Sequence, residues 1–238
     1  ECYDEFNHVG LNPCGEISLS GYDACRLISI NLSNFVKDSF LPSAQFNQEK
    51  FEETIQVAMR LCDDLIDLEQ EKLDEIIAHS DEEDVADIFR KLKRSGELGR
   101  RVGLSTHGLS DLLIRLNLRY DSDEAIEFAR KLYDGFKNAA YRASASMAVE
   151  RGSFPIWNPK KEENNAFILS LSEKTQTMLK SGRRNGACLT VAPTGSVSIV
   201  SRTSSGIEPI FKIEYTRRKK INRTNGETVA DFVDDMGD

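Results

Sequence analysis

The sequence is poor in the features that usually mark a site at a glance. It has three histidines and one tryptophan, and its five cysteines, at positions 2, 14, 25, 62 and 188, include no CxxC pair. That spacing argues against a zinc site. An odd, irregular set in a chain of this size also argues against a disulfide scaffold. No apolar run approaches the roughly 20 residues of a membrane-spanning helix, and no signal peptide is read. Positive charge is short as well: 31 Lys and Arg against 39 Asp and Glu leave a net charge of −8. This argues against nucleic acid or an anionic membrane as the main partner. These absences predict a reduced, cytoplasmic protein in which Cys62 and Cys188 fill the core. The chain starts at Glu1, not Met, which reads as processed, excised or a piece of something longer.

What is present is ordinary globular patterning over 238 residues, 39% hydrophobic and 29% charged, enough for a substantial core. Residues 1–25, rich in Gly, Asn and Pro, read as loop and short strand. Residues 26–36 alternate and fit a strand or a helix start. From Asn47 to about Ser80 the residues Phe51, Ile55, Ala58, Leu61, Leu65 and Leu68 keep helical spacing. The charged segment 80–101 reads as a helix with a solvated face, ending in a glycine-containing break. Residues 102–118 read as a strand and a helix capped by Ser105 or Thr106. A long helix follows, with Asp121 and Glu124 as a capping box, a stripe of Ile126, Ala129, Tyr133, Phe136 and Ala140, and Gly152 as its end. Residues 187–192 form a β-run, and the tail after Arg217 is polar loop. With no repeat or long linker, strands alternating with helices predict an α/β architecture.

Two stretches carry chemistry. In "PTGSVS", Pro193 presets a turn, Gly195 lets backbone N–H groups approach an anion, and Thr194, Ser196 and Ser198 add hydroxyls. With the start of a helix this makes a phosphate cradle; a plain strand-to-helix turn with a serine cap explains the same residues. In "NPCGEI", Cys14 has no flanking His, which weakens a protease-type nucleophile. In an extended segment Glu16 points to the same side as Cys14. A carboxylate beside a thiol disfavours the thiolate, which suits a neutral thiol or a radical with the carboxylate as base for something else. A structural loop is the alternative.

Four stretches, "NPCGEI…YDACRLISINLSNFV", "GRRVGLSTHGLSDLLIRLNLRYDSDEA", "GRRNGACLTVAPTGSVSI" and "TSSGIEPIFKIEYTRR", together resemble the catalytic chain of ribonucleotide reductases, closest to the adenosylcobalamin-dependent, class II type. The resemblance runs over nearly all the chain in the right order and is weakest at 69–100. It implies part, roughly the second half, of a ten-stranded α/β barrel with a central finger loop. On that footing 1–238 is a single partial catalytic domain, with the finger loop at 10–25 and the phosphate loop at 192–198. Cys14 is then the radical cysteine that abstracts the 3′ hydrogen, and Glu16 the base for the 3′ hydroxyl. Asn12 bonds the substrate hydroxyls, and Cys25 is one of two reducing thiols that end as a disulfide. Pro193, Thr194, Gly195, Ser196, Val197 and Ser198 hold the substrate phosphates. Arg26, Ile28, His107 and Arg202 depart from the family's usual residues; His107 receives no role.

The resemblance also implies adenosylcobalamin as cofactor, a ribonucleotide substrate, most simply the diphosphate, and a thioredoxin-type reductant. The second reducing cysteine lies upstream in the family and has no counterpart here. The chain is therefore expected to need a missing N-terminal half or a second subunit, to be inactive and prone to associate alone, and to work as an oligomer. Two alternatives are a class I chain served by a separate radical-generating subunit, and a non-catalytic remnant or interaction module of the same fold.

Overall fold

The computed structural model describes residues 3–6 and 9–214. The chain falls into two compact units, Glu1–Glu208 and Pro209–Asp238, and the elements named here belong to the first. Cys2 and the tail after Arg217 lie outside the described residues.

After a short 3₁₀ turn (Asp4–Phe6) the chain forms an antiparallel hairpin, β1 (Val9–Leu11) and β2 (Ser18–Ser20), in which Val9 faces Ser20. β3 (Arg26–Asn31) follows, then a 3₁₀ turn (Leu32–Phe35) and the small pair β4 (Val36–Lys37) and β5 (Gln45–Phe46). Two helices, α1 (Gln48–His79) and α2 (Glu83–Gly99), cross over to β6 (Val102–His107). The rest is helical: α3 (Leu109–Arg115), α4 (Asp123–Arg151), α5 (Pro159–Glu162), α6 (Ala166–Leu169), α7 (Glu173–Leu179) and α8 (Gly195–Ser201).

β3 and β6 pair in parallel, from Arg26 opposite Val102 to Asn31 opposite His107. On the other side of β6 runs the extended segment 187–190. The Val102 and Leu104 N–H groups donate to Ala187 and Cys188 carbonyls (3.0 and 2.8 Å), and Thr190 N–H donates back to Leu104 (3.1 Å). β6 is thus the centre of a parallel layer, and all six of its residues are buried, as expected for a strand covered on both faces. A long helical crossover between parallel neighbours is the βαβ arrangement, so the α/β reading holds. Among the described residues the layer does not close into a barrel.

Side chains alternate along β6. Val102 and Leu104 enter the main core with Phe51, Ile55, Met59, Cys62 and Ile66 of α1 and Leu132, Phe136 and Ala140 of α4. Phe51 contacts Phe35, Phe46 and Phe136 at ring separations of 5.1–5.9 Å. Cys62 and Cys188 are fully buried there, as core cysteines.

Several local expectations need correction. α1 runs as read, with Asn47 accepting from Lys50 N–H as its N-cap. Its buried face, however, passes through Met59, Cys62 and Ile66, leaving Leu61, Leu65 and Leu68 exposed. Ser105 and Thr106 cap nothing: they lie in β6, and α3 starts from Gly108 without a side-chain cap. α4 is capped by Ser122, which accepts from Ala125 N–H, rather than by an Asp121 box. Its buried face uses Ala125, Leu132 and Ala139, while Ile126 is exposed; Gly152 ends it as expected.

A buried charge node fastens the helices behind the layer. Asp63 of α1 is fully buried. It accepts from Arg100 Nε (2.9 Å), Asn185 Nδ2 (3.0 Å) and Arg184 Nε (3.0 Å), with Arg151 Nη1 at 3.4 Å. A buried carboxylate persists only when so paired. The two Gly-Arg-Arg turns share one logic. Arg100 and Arg184 both reach Asp63, while Arg101 pairs with Asp23 (2.9 Å) and Arg183 with Glu162 (2.6 Å).

Candidate functional site

The second face of the layer is different. A Cβ built on Gly103 would stand 2.4 Å from Cys25 Sγ, 2.7 Å from Leu27 and 2.9 Å from Thr190. Cys25 therefore sits against β6 at a place only glycine leaves open. By alternation Ser105 and His107 share this face with Gly103, so it carries small and polar groups where the opposite face carries Val and Leu.

The hairpin reaches this face. Asn12–Gly15 form a β-turn in which Gly15 N–H donates to the Asn12 carbonyl (2.9 Å). Pro13 supplies the fixed φ of the second turn position and Gly15 adopts φ +78°. Asn12 Oδ1 accepts from Ile17 N–H (3.2 Å), bracing the turn with its own side chain. At the tip Cys14 is exposed. Residues 13–16 are turn and bend, not extended strand, so the alternation that put Cys14 and Glu16 on one side does not apply. Glu16 instead turns inward. Its carbonyl accepts from Thr190 Oγ1 (2.7 Å), and its Oε2 is buried with no hydrogen-bond partner among the described residues.

Glu16 and Cys25 lie close enough to interact electrostatically. Burial pushes the Cys25 thiol up to about 12; Arg26 pulls it down, and Glu16 and Asp23 push it further up. Cys25 is thus a neutral thiol at ordinary pH. Asp23 is held above the usual carboxylate range by burial, against its Ala24 N–H bond and the nearby Arg101 and Arg26. Arg26 is clamped by Glu69 and donates to the Ala24 carbonyl (2.7 Å), fixing the chain on both sides of Cys25.

The 192–198 loop leaves the same layer. Ala192 N–H donates to Ser105 Oγ (3.0 Å). Thr194 is buried; its Oγ1 accepts from Gly206 N–H (2.7 Å) and bonds Ser205 Oγ (3.2 Å). Ser198 Oγ donates to the Gly195 carbonyl (2.9 Å). Two of the three hydroxyls therefore shape the loop. Pro193, Gly195, Ser196 and Val197 are exposed, a Cβ on Gly195 would meet open space, and Thr194 makes no side-chain cap bond to the first turn of α8. The first-turn N–H groups have no intrahelical partner in any helix.

Sequence reasoning missed Gly103, Thr190 and Asp63. Only the repeated Gly-Arg-Arg hinted at buried acids awaiting arginines. Among the described residues no three His, Cys, Asp or Glu side chains cluster to hold a metal ion, and no helix is long and apolar enough to cross a membrane.

Residues 9–235 match the family described as ribonucleotide reductase, barrel domain. A protein of Mycobacterium tuberculosis named vitamin B12-dependent ribonucleoside-diphosphate reductase is 34% identical over 207 residues, covering 87% of this chain and 25% of its own length. A protein of the same name from Thermoplasma acidophilum is 32% identical, covering 87% and 22%. The Chlamydia pneumoniae ribonucleoside-diphosphate reductase subunit alpha is 29% identical, covering 87% and 21%. The chain spans about a quarter of the length of these relatives, and it belongs to the ribonucleotide reductase barrel-domain family.

Proposed function

We propose that this chain is the radical-site portion of a ribonucleotide reductase that converts ribonucleoside diphosphates to deoxyribonucleotides, read as one partial catalytic domain over 1–238 of a ten-stranded barrel. The observation that carries it is the buried Oε2 of Glu16, without a hydrogen-bond partner among the described residues, beside a thiol that burial keeps neutral, on the loop whose tip exposes Cys14. A buried carboxylate oxygen without a donor is costly unless a ligand supplies one, and a sugar hydroxyl is such a donor.

The roles follow. Cys14, as a thiyl radical, takes the 3′ hydrogen. Glu16 Oε2 accepts the proton of the 3′ hydroxyl. Asn12 has committed its oxygen to Ile17 and offers its Nδ2 hydrogens to the substrate. The 2′ C–O bond breaks and the oxygen leaves as water; Cys25 and a second thiol outside this chain supply two electrons and become a disulfide. The phosphates meet the loop Pro193–Ser198, with the exposed N–H groups of Gly195, Ser196 and Val197 as donors and Thr194 and Ser198 keeping its shape.

Adenosylcobalamin, when bound, supplies the radical equivalent, and the exposed Cys14 sulfur is the group of this chain open to it. The higher identity to the vitamin B12-dependent relatives supports that form over one served by a separate radical subunit. The remaining length of those relatives supports an N-terminal half as partner. So do the open edge of β3 and the exposed row Val57, Leu61, Leu65 and Leu68 on α1. A thioredoxin-type protein would restore the dithiol, and an oligomer is the working form.

The test mixes the chain with a matching N-terminal half and dithiothreitol, with and without adenosylcobalamin, and measures deoxyribonucleotide. Product that needs both the cofactor and Cys14, with none from Cys14→Ala, is expected. Product that appears without cobalamin only when a radical-generating subunit is added would assign the class I form, and a stable complex silent with either radical source would reject the enzyme reading.

A further inference from the structure

His107 is buried (3% exposed) at the end of β6, and none of the roles above uses it. Both ring nitrogens are engaged, each by a different element. Nδ1 bonds Ser29 Oγ of β3 at 2.8 Å, and Nε2 bonds Ser201 Oγ of α8 at 3.1 Å. Ser201 Oγ also donates to the Ser198 carbonyl (3.2 Å). A hydroxyl has one hydrogen. Ser201 Oγ also lies 2.9 Å from Thr203 Oγ1, and with that second hydroxyl beside it the ring keeps both of its bonds in either neutral tautomer. The chain of bonds runs from Ser29 through His107 and Ser201 to the backbone of α8.

The neighbouring corner fastens the same helix. Gly108 N–H donates to the Ser204 carbonyl (2.9 Å), and Asp111 accepts from both the N–H and Oγ of Ser204 (2.7 Å each). Gly206 N–H closes onto Thr194. These bonds tie the strap behind α8 to β6 and α3. Beyond the backbone ladder between β6 and β3, the imidazole adds a side-chain path from α8 to β3, the strand that begins beside Cys25.

We propose that His107 is a positioning residue that couples β3, the strand leaving Cys25, to α8, the helix of the phosphate loop. An inference about the loop's ligand is not needed for the coupling, but its use in substrate binding rests on the reductase reading. An apolar side chain at 107 would fill the same space and carry no such link.

The experiment uses Ser29→Ala, which removes a hydroxyl on β3 with no bond to α8, and reads amide hydrogen exchange in α8 by NMR. Exchange at Ile199–Ser201 is expected to quicken about fivefold, the factor carried by one ordinary hydrogen bond, while α4 is unchanged. His107→Phe, which keeps a ring of similar size, should quicken the same amides. Unchanged α8 exchange in Ser29→Ala overturns the coupling. Pyrophosphate titrated into the same samples separates the two readings. Coupled exchange without binding keeps the relay and rejects the phosphate loop, whereas binding with uncoupled exchange does the reverse.

Discussion

The two faces of β6 do opposite work with three residues each. Val102, Leu104 and Thr106 point one way, and the first two are fully buried against α1 and α4. Gly103, Ser105 and His107 point the other way and make room for, or bond to, Cys25, the 192–198 loop and α8. Stability comes from large side chains that exclude water. A site needs the reverse, small groups that leave space and polar groups with directed bonds. A parallel strand buried on both sides lets one hexapeptide hold both, because successive side chains never share an environment.

That contrast is testable by substitution, in descending order of effect on the fold. Leu104→Ala on the packed face should cost about 3 kcal/mol in urea unfolding, the larger loss of the two. Gly103→Ala on the site face adds one methyl where Cys25 Sγ would be 2.4 Å away; about 1–2 kcal/mol is expected. The difference in kind should show in thiol chemistry: Gly103→Ala changes the alkylation rate of Cys25, and Leu104→Ala in the folded state does not. Equal effects of both on Cys25 would dissolve the distinction between the faces.

The smallest disturbance is chemical. With iodoacetamide at pH 8, mass spectrometry should find Cys14 modified first and Cys25 slower than an ordinary thiol by on the order of a thousandfold. The thiolate is the attacking species, and burial moves the Cys25 thiol from 9.0 to about 12. The linkage has a definite sign. The folded state holds its proton more tightly than the unfolded chain, so this contribution to stability is complete below pH 9 and is lost as pH rises towards 12. Stability rising across that window, or Cys25 reacting as fast as Cys14, would contradict the assignment of Cys25 as a buried neutral thiol.

Local signals were legible where the deciding contacts are local. The helix start at Asn47 and the Gly152 stop depend on bonds within a few residues. The failures lie where two local candidates compete. Ser105 and Thr106 are good capping residues, but the strand pairing with β3 claims them, and Gly108 starts the helix. Asp121 loses to Ser122 by one position. In α1 the apolar residues Leu61, Leu65 and Leu68 keep helical spacing as well as Met59, Cys62 and Ile66 do. Only the placement of β3 and β6 decides which row is covered.

The amino-acid sequence by itself determined the α/β alternation, the long helices, and the family through the order of four stretches. These are matters of periodicity, backbone dihedrals and residue type, all written along the chain. Only the tertiary structure decided that Glu16 turns inward, its Oε2 without a hydrogen-bond partner among the described residues, that Gly103 makes room for Cys25, and that Asp63 gathers arginines from both Gly-Arg-Arg turns. It also decided that His107 bridges two elements. Each of those joins groups tens of residues apart, and the energy of such a contact exists only once packing has removed the water between them.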